Sequence, residues 1–150
     1  MKIITPNSKQ INECLEIAKN LKDWFTPEAI DSMKIDFQVN HLISALENNE
    51  VIGFLCYSSY NGSIKILWIG VKKDFQRKGI GFKLLKELEK IANKYNSKSI
   101  EVETLSETVS YEPYELTRNF YKKNGFKIIH TIKPYKEGWD EMDIMKKEIK

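Results

Sequence analysis

The chain has 150 residues, a length that buries roughly two thirds of its unfolded surface around one core, so we expect a single domain spanning residues 1–150. Hydrophobic residues make up 41% of the chain and charged residues 30%, a balance that excludes an intrinsically disordered protein. The net charge of +3, from 24 basic and 21 acidic residues, is too small to indicate nucleic-acid binding by bulk electrostatics.

The first half of the chain reads as a strand, two helices and a meander. "MKIIT" predicts a short opening strand, and apolar residues at helical spacing predict a helix over "SKQINECLEIAKNLKDW", with Ser8 as its cap. A second helix begins near "TPEAIDSM", where Thr26 is the expected cap and Pro27 takes the first helical position. Three apolar runs follow, and the Asn61-Gly62 pair between the last two is typical of a two-residue hairpin.

The second half alternates helices with strands. From Gly79 the apolar residues recur every three or four positions, which predicts a helix ending near Tyr95. "SKSIEVETL" returns to strand, "EPYELTRNFYKKNGF" predicts a helix that stops at Asn124-Gly125, and two strands close the chain. The hairpins give antiparallel pairs, whereas a strand, helix, strand succession normally gives a parallel pair. We therefore predict an α+β fold with a central mixed, mostly antiparallel sheet of about seven strands and about four helices.

Neither cysteine belongs to a metal or redox motif. Cys14 and Cys56 both lie among apolar neighbours, without a CxxC pair or a Cys/His cluster, so we expect buried, reduced thiols and no metal. The start of the chain lacks an apolar segment of signal-peptide length, and no run of about 18 apolar residues occurs anywhere. These features predict a cytoplasmic protein with no membrane partner.

The segment "VKKDFQRKGIGFKLL" places a basic, glycine-containing loop between a strand and a helix. Such a loop gathers unpaired backbone N–H groups at the positive end of a helix dipole, where a phosphate binds well. The spacing excludes both the GxxxxGK[ST] loop and the GxGxxG loop. A basic turn that only caps the helix is the alternative.

This segment resembles the acyl-CoA signature of the GNAT superfamily of N-acetyltransferases, Q/R-x-x-G-x-G/A, between a strand and a helix as in that family. The resemblance implies the GNAT acyl-CoA N-acyltransferase fold, acetyl-CoA as cosubstrate without a metal, and an oxyanion-stabilising backbone N–H in the preceding strand. Gly70 suits a bulge there, or marks a harmless irregularity. The implied cofactor-binding residues are Ile69, Gly70, Val71, Gln76, Arg77, Lys78, Gly79, Ile80, Gly81 and Phe82.

A second segment, "RNFYKKNGF", resembles the other landmark of the family, a helix ending in aromatic-Tyr-x-x-x-Gly-Phe. The resemblance makes Tyr121 the general acid. Tyr114, Thr117 and Arg118 match a bacterial subgroup with Y-x-x-TR-x-FY. Many members instead carry Asn seven residues and Ala four residues before the tyrosine, and several place a glutamate base near the end of the strand before the loop, which this chain lacks.

Acetyl transfer to an amine also needs a base, because the amine attacks in its neutral form. Glu101 and Glu103 lie on one strand face, and Glu103 is the better candidate because it is closer to the strand's C-terminal end. A solvent-facing strand surface is the alternative. His41 and a water chain that ends on backbone carbonyls remain further options.

The acceptor side is expected from the resemblance in two loops, "KDWFTPEA" and "KPYKEGWDE". Trp24, Phe25, Tyr135 and Trp139 are the candidate substrate-binding residues, with Glu137, Asp140 and Glu141 available to attract a cation. Ordinary packing under the loops is the alternative.

We therefore expect an acetyl-CoA-dependent N-acetyltransferase (EC 2.3.1 type) acting on a small-molecule or peptide amine. A non-catalytic acyl-CoA-binding sensor or regulatory module is the alternative, motivated by the missing glutamate. Nucleic-acid binding through Lys72, Lys73, Arg77 and Lys78 is third, and the lack of a wider basic face opposes it. The sequence leaves open the acceptor, the acyl-chain preference and whether the protein forms a homodimer.

Overall fold

The computed structural model describes all 150 residues and contains seven strands and four α-helices, which confirms the predicted mixed α+β class. One short 3-10 helix precedes the third α-helix. The elements are β1 (Lys2–Ile4), α1 (Ser8–Asn20), α2 (Pro27–Val39), β2 (His41–Glu47), β3 (Glu50–Tyr60), β4 (Ser63–Val71), the 3-10 helix (Lys73–Phe75), α3 (Ile80–Lys94), β5 (Ser99–Leu105), α4 (Glu112–Lys123), β6 (Lys127–Ile132) and β7 (Met142–Glu148).

The chain forms two compact units. The first comprises Met1–Ser58 and Ile66–Ile91, and the second comprises Ser59–Lys65 and Ala92–Lys150. The expectation of a single domain stays a prediction.

In the first unit the strands follow the order β1-β2-β3-β4, and β2 pairs antiparallel with both β1 and β3. α1 and α2 supply the buried side chains of a core cluster that also includes Leu42, Leu46 and Phe54 from the strands. α3 packs closely against Gly53 of β3. A Cβ built on this glycine would lie 3.3 Å from the Ile80 side chain and 3.5 Å from the Leu84 side chain.

The helix starts follow from local hydrogen bonding, with one correction to the sequence prediction. α1 is capped by Asn7, not by Ser8, because the Asn7 side chain accepts from the Gln10 N–H while the Gln10 side chain accepts from the Asn7 N–H, both at 2.9 Å. This reciprocal pair is a capping box, and Ser8 becomes the first helical residue. For α2 the prediction is confirmed, since Thr26 accepts from the Ala29 N–H at 3.1 Å and Pro27 is the first helical residue.

In the second unit β7 pairs antiparallel with β5 on one side and with β6 on the other. The tip of the β3–β4 hairpin belongs to this unit, and both Asn61 and Gly62 have positive φ, as a two-residue primed turn requires. α4 ends where predicted, with Gly125 in the left-handed region at φ +91°.

Both cysteines are buried and free, as predicted. The Cys14 thiol lies 3.2 Å from the Ser44 hydroxyl. Burial raises the pKa of Cys14 to about 11 and that of Cys56 to about 12, so both thiols stay protonated at neutral pH.

Candidate functional site

The loop between β4 and α3 is held in shape by its own hydrogen bonds. The Gln76 side-chain amide donates to the Val71 carbonyl at 3.0 Å, which closes the loop across the 3-10 helix. Arg77 and Gly79 both have left-handed backbone conformations, with φ +62° and +81°. Gly79 suits that conformation because it has no Cβ, whereas Arg77 adopts it against the ordinary preference of an L-residue.

The loop leads into the exposed N-terminus of α3. The N–H of Lys83 donates to the Gly79 carbonyl at 3.0 Å, so the preceding N–H groups of Ile80, Gly81 and Phe82 have no carbonyl one turn back. Nothing lies within 4 Å of a Cβ built on Gly79, so the approach to its backbone is open. Free N–H groups and the helix dipole at one point favour an anion such as a phosphate.

Two cations flank this helix start. Arg77 and Lys78 are both exposed, and the Lys78 ammonium lies 5.4 Å from the centre of the Phe75 ring. Lys72, by contrast, forms an ion pair with Glu50. The loop therefore offers Arg77 and Lys78 to an anionic ligand, while the charge of Lys72 is already compensated.

The strand before the loop explains why residue 70 is a glycine. A Cβ at Gly70 would lie 2.8 Å from two ring atoms of Phe54 and 3.2 Å from Leu21, both of which are buried. Close packing on the α1 side of β4 accounts for this glycine without any positive φ. Ile69 and Val71 flank it, and both are half-buried.

Tyr121 lies on the buried face of α4. Its ring is 1% exposed and packs edge-on against Phe120 at 5.3 Å and Phe126 at 5.2 Å between ring centroids. Burial raises the pKa of Tyr121 above its ordinary value, and the nearby Tyr114 phenol adds to the shift. The hydroxyl therefore stays protonated throughout the neutral range.

Arg118 lies one turn before Tyr121 on the same face of α4 and is 4% exposed. Its guanidinium donates to the carbonyl of Leu105 at 2.7 Å and to that of Ser106 at 3.3 Å. These bonds fasten α4 over the C-terminal end of β5. They give a structural reason for the arginine of the "TRNFY" motif, which the sequence alone did not supply.

Asp143 on β7 completes this buried polar cluster. Burial disfavours its ionised form, but hydrogen bonds from the Thr131 hydroxyl at 2.7 Å and the Glu107 N–H at 3.0 Å, together with the positive charge of Arg118, outweigh that effect. The pKa of the Asp143 carboxyl consequently lies below its usual range, and the carboxylate is ionised at neutral pH.

Two of the candidate bases, Glu101 and Glu103, lie within β5, and the third, His41, is the first residue of β2. The Glu103 carboxylate lies 3.5 Å from the Lys65 ammonium, and the glutamate side chain is 21% exposed. Glu103 and Glu101 share a face of β5, opposite to the face of Val102. His41 is exposed at the start of β2 and stacks on the Tyr57 ring at 5.0 Å.

In the first unit, an aromatic residue of the α1–α2 loop contacts Trp68, which in turn binds Asp36. The sequence did not indicate either of these two residues as part of a site. Phe25 meets Trp68 of β4 edge-on at 6.0 Å, and the Trp68 indole donates to the Asp36 carboxylate of α2 at 2.7 Å. Trp24 packs at the edge of the same core cluster. Asp36 and Trp68 lie 32 residues apart, so no local motif links them, and Trp68 looks like one more apolar residue of a strand.

In the second unit, Tyr135 and Trp139 meet edge-on at 6.3 Å and are 69% and 53% exposed. The Lys136 ammonium lies 4.6 Å from the Trp139 ring centre. The Trp139 ring therefore already interacts with a cation of its own segment, and Tyr135 contacts that ring.

A cavity of about 470 Å³ lies beside α1 in the first unit. It is lined by α1, the start of β3 and the first residues after β4, and it includes none of the predicted acceptor-binding aromatic residues. No group of three or more His, Cys, Asp or Glu side chains is arranged to hold a metal ion. None of the helices has the length and apolar character needed to cross a membrane.

Comparison with known proteins relates this arrangement to one family. The sequence model of the acetyltransferase (GNAT) domain matches residues 38–128, which include the loop, α3 and α4. No curated protein matches the chain by sequence.

Solved structures give the same relation at the level of fold. An acetyltransferase of the GNAT family from Desulfovibrio desulfuricans superposes with a TM-score of 0.88 at 21% identity, covering 99% of both chains. The ribosomal-protein-S18-alanine N-acetyltransferase from Escherichia coli gives 0.80 at 16% identity over 99% of this chain and 93% of that one. An aminoglycoside 6'-N-acetyltransferase complexed with coenzyme A gives 0.76 at 18% identity over 99% and 97%.

Proposed function

The chain belongs to the GNAT family of acetyltransferases, and on that basis we propose that it transfers the acetyl group of acetyl-CoA to a primary amine by direct attack. The single observation that carries this proposal is the loop before α3, with its open helix N-terminus, its left-handed Gly79 and its two exposed cations. That combination suits a diphosphate, and acetyl-CoA is the diphosphate-containing cosubstrate of acetyltransferases.

Binding of the cosubstrate rests on the loop and on β4. The N–H groups of Ile80, Gly81 and Phe82 receive the pyrophosphate oxygens, and Arg77 and Lys78 add charge-assisted contacts. Gln76 holds the loop closed through its bond to Val71. The backbone of Ile69, Gly70 and Val71 accompanies the acyl end, where one N–H stabilises the oxyanion of the tetrahedral intermediate.

The reaction also needs two proton transfers. An alkylamine with a pKa of about 10.4 is only ~0.04% neutral at pH 7. Deprotonating it therefore costs about 4.6 kcal/mol at that pH, a cost that a base or a desolvating pocket must reduce. In our proposal Glu103 accepts the amine proton, directly or through water, as the C–N bond forms. Tyr121 donates its proton to the thiolate as the C–S bond breaks, and solvent then returns a proton to the phenol.

The acceptor is a cationic amine before it reacts. In the first unit, Trp24, Phe25 and Trp68 supply aromatic faces and the Asp36 carboxylate supplies a negative charge. In the second unit, Tyr135 and Trp139 supply aromatic faces, and the same segment contains Glu137, Asp140 and Glu141. Two structural neighbours are named for amine acceptors, an aminoglycoside and the alanine of a ribosomal protein. We therefore propose a small-molecule or peptide amine as the substrate class.

The experiment is an acetylation screen with thiol release as its readout. The panel contains polyamines, aminoglycosides, amino acid amides and short peptides with free N-termini, each with acetyl-CoA and with the product identified by its mass. Tyr121→Phe should lower kcat about 10²–10⁴-fold, the usual contribution of a general acid, without weakening acetyl-CoA binding. Tyr60→Phe is the matched control, because Tyr60 is 85% exposed and should leave kcat unchanged. Equal kcat for wild type and Tyr121→Phe removes Tyr121 as the acid.

A non-catalytic acyl-CoA sensor is the second candidate function. It is favoured by the ion pair between Glu103 and Lys65, which already engages the candidate base. Acetyl-CoA binding without product from any amine of the panel would select the sensor.

A further inference from the structure

The cavity of about 470 Å³ beside α1 includes none of the residues assigned above to the cosubstrate or to the acceptor. Its volume falls within the range of about 300–1,000 Å³ that is typical of small-molecule sites. Every lining residue belongs to the first unit, so the cavity is a feature of that unit alone. The chemistry of its lining indicates which ligand it suits.

The floor of the cavity is apolar. Ile17 and Leu21 of α1 and Val51 of β3 line it, and none of the three is more than 5% exposed. Ligand sites commonly combine such a floor with a few polar groups, because the floor removes hydrocarbon from water while the polar groups fix the ligand's orientation. A ligand that fits this cavity therefore has an apolar part.

One face of α1 supplies polar groups to the cavity. These residues follow one another at helical spacing and are Lys9, Asn12, Glu13, Glu16 and Asn20. The Glu16 carboxylate is paired with the Lys19 ammonium at 3.1 Å. Lys9 and Glu13 form no ion pair, and Glu13 is half-buried. This face of α1 thus offers one free charge of each sign.

The residues that follow β4 supply a second set of charges. Lys72, Lys73 and Asp74 line the cavity together with Glu50. Lys72 is compensated by its ion pair with Glu50. Lys73 and Asp74 are exposed and form no ion pair. This segment also offers one free charge of each sign.

We propose that the cavity binds a small zwitterion with an apolar side chain, the chemistry of a free α-amino acid. Two free cations and two free carboxylates complement a ligand that carries one charge of each sign, whereas they would both attract and repel a polycation or a polyanion. Glu13 receives the ammonium group, because a half-buried carboxylate interacts more strongly with a charge than an exposed one does. Lys73 receives the carboxylate, and the side chain lies over Ile17 and Val51.

The test begins with titrations of the full chain with L-leucine, L-methionine and L-phenylalanine. Backbone amide signals in NMR locate the site, and calorimetry gives the affinity. The proposal predicts saturable shifts at the lining residues, among them Ile17, Val51 and Lys73. No saturable binding of any of the three amino acids, or saturable shifts only outside the lining, would overturn it.

Two analogues test the need for both charges. Isocaproate is leucine without the ammonium group, and isoamylamine with its terminal amine lacks the carboxylate. Each should bind about 10-fold or more weakly than the amino acid, because a hydrogen bond to a charged group is lost. An analogue that binds as tightly as L-leucine would show that the cavity does not recognise a zwitterion.

Matched variants assign each charge to a residue. Glu13→Gln and Lys73→Gln should each weaken L-leucine binding about 10-fold. Glu13→Gln should leave the binding of isocaproate unchanged, and Lys73→Gln should leave that of isoamylamine unchanged. Lys22→Gln is the control, because Lys22 is exposed just after α1 and does not line the cavity. Wild-type affinity for L-leucine in both cavity variants would contradict the proposal.

A last arm separates this cavity from the cosubstrate loop. L-Leucine should still bind to a folded Gly79→Asp, Gly81→Asp double variant, because neither glycine lines the cavity. Loss of L-leucine binding in that variant would place the amino acid at the loop and overturn the proposal. Because the cavity and the loop are tested with different ligands, failure of either proposal leaves the other standing.

Discussion

Gly70→Ala should destabilise the protein through a collision with one identified ring. The new Cβ would lie 2.8 Å from two atoms of the Phe54 ring, closer than real Cβ atoms pack, and 3.2 Å from Leu21. The Phe54 ring is fully buried and held edge-on against Phe37 at 5.3 Å, so it cannot move aside freely. Overpacking of a core costs about 1–3 kcal/mol.

The assay is urea unfolding, supported by thermal melts. A loss of 1 kcal/mol corresponds to a fall in Tm of about 2–4 °C in a domain of this size, so the whole effect is readily measured. A double-mutant cycle with Phe54→Leu identifies the partner. Removing the ring should relieve the collision, so the two substitutions together should cost less than the sum of the single costs, with a coupling of about 1 kcal/mol. A Gly70→Ala protein as stable as wild type, or strictly additive costs, would refute the packing explanation of this glycine.

Three further variants test the loop and the buried ionisable groups. Gly79→Ala should cost about 1–2 kcal/mol of unfolding free energy, because alanine must adopt φ +81° in open space; an unchanged urea midpoint would show that the loop reshapes freely. The pKa of Asp143 is lowered by folding, so its contribution to the free energy of unfolding is present above the unfolded pKa of about 3.9 and is lost as the pH falls toward the lower folded value. Asp143→Asn should therefore flatten the acid side of the plot of stability against pH. Parallel plots for wild type and Asp143→Asn would contradict this. The pKa of Tyr121 is raised by folding, so stability should fall as the pH rises above about 10, where the tyrosine loses its proton in the unfolded chain but not in the folded one. Tyr121→Phe should reduce that loss of stability at alkaline pH. Coinciding plots of stability against pH for wild type and Tyr121→Phe would show that the reasoning is wrong.

Local signals predicted the elements of this fold well. The proline at the start of α2, the Asn61-Gly62 turn and the glycine after α4 act within a few residues, so each is visible in the sequence. The predicted cap of α1, Ser8, lies one residue after the observed cap, Asn7, because both are good capping residues. Only the reciprocal bond between Asn7 and Gln10 decides between them.

The site was only partly predictable, because much of it depends on contacts distant in sequence. The glycine loop could be found because its glycines and cations form a local pattern in the sequence. The Asp36–Trp68 hydrogen bond joins residues 32 positions apart, and the bond from the Glu107 N–H to the Asp143 carboxylate joins residues 36 positions apart.

Equilibrium binding of acetyl-CoA tests the central claim most directly. Calorimetry would compare wild type with a Gly79→Asp, Gly81→Asp double variant that is shown to be folded, with ATP and NAD as control ligands. The account predicts micromolar binding that is selective for acetyl-CoA and lost in the double variant, because the carboxylates repel phosphate at the start of α3. No binding by wild type, or equal binding by the folded double variant, would contradict the assignment of this loop to acetyl-CoA.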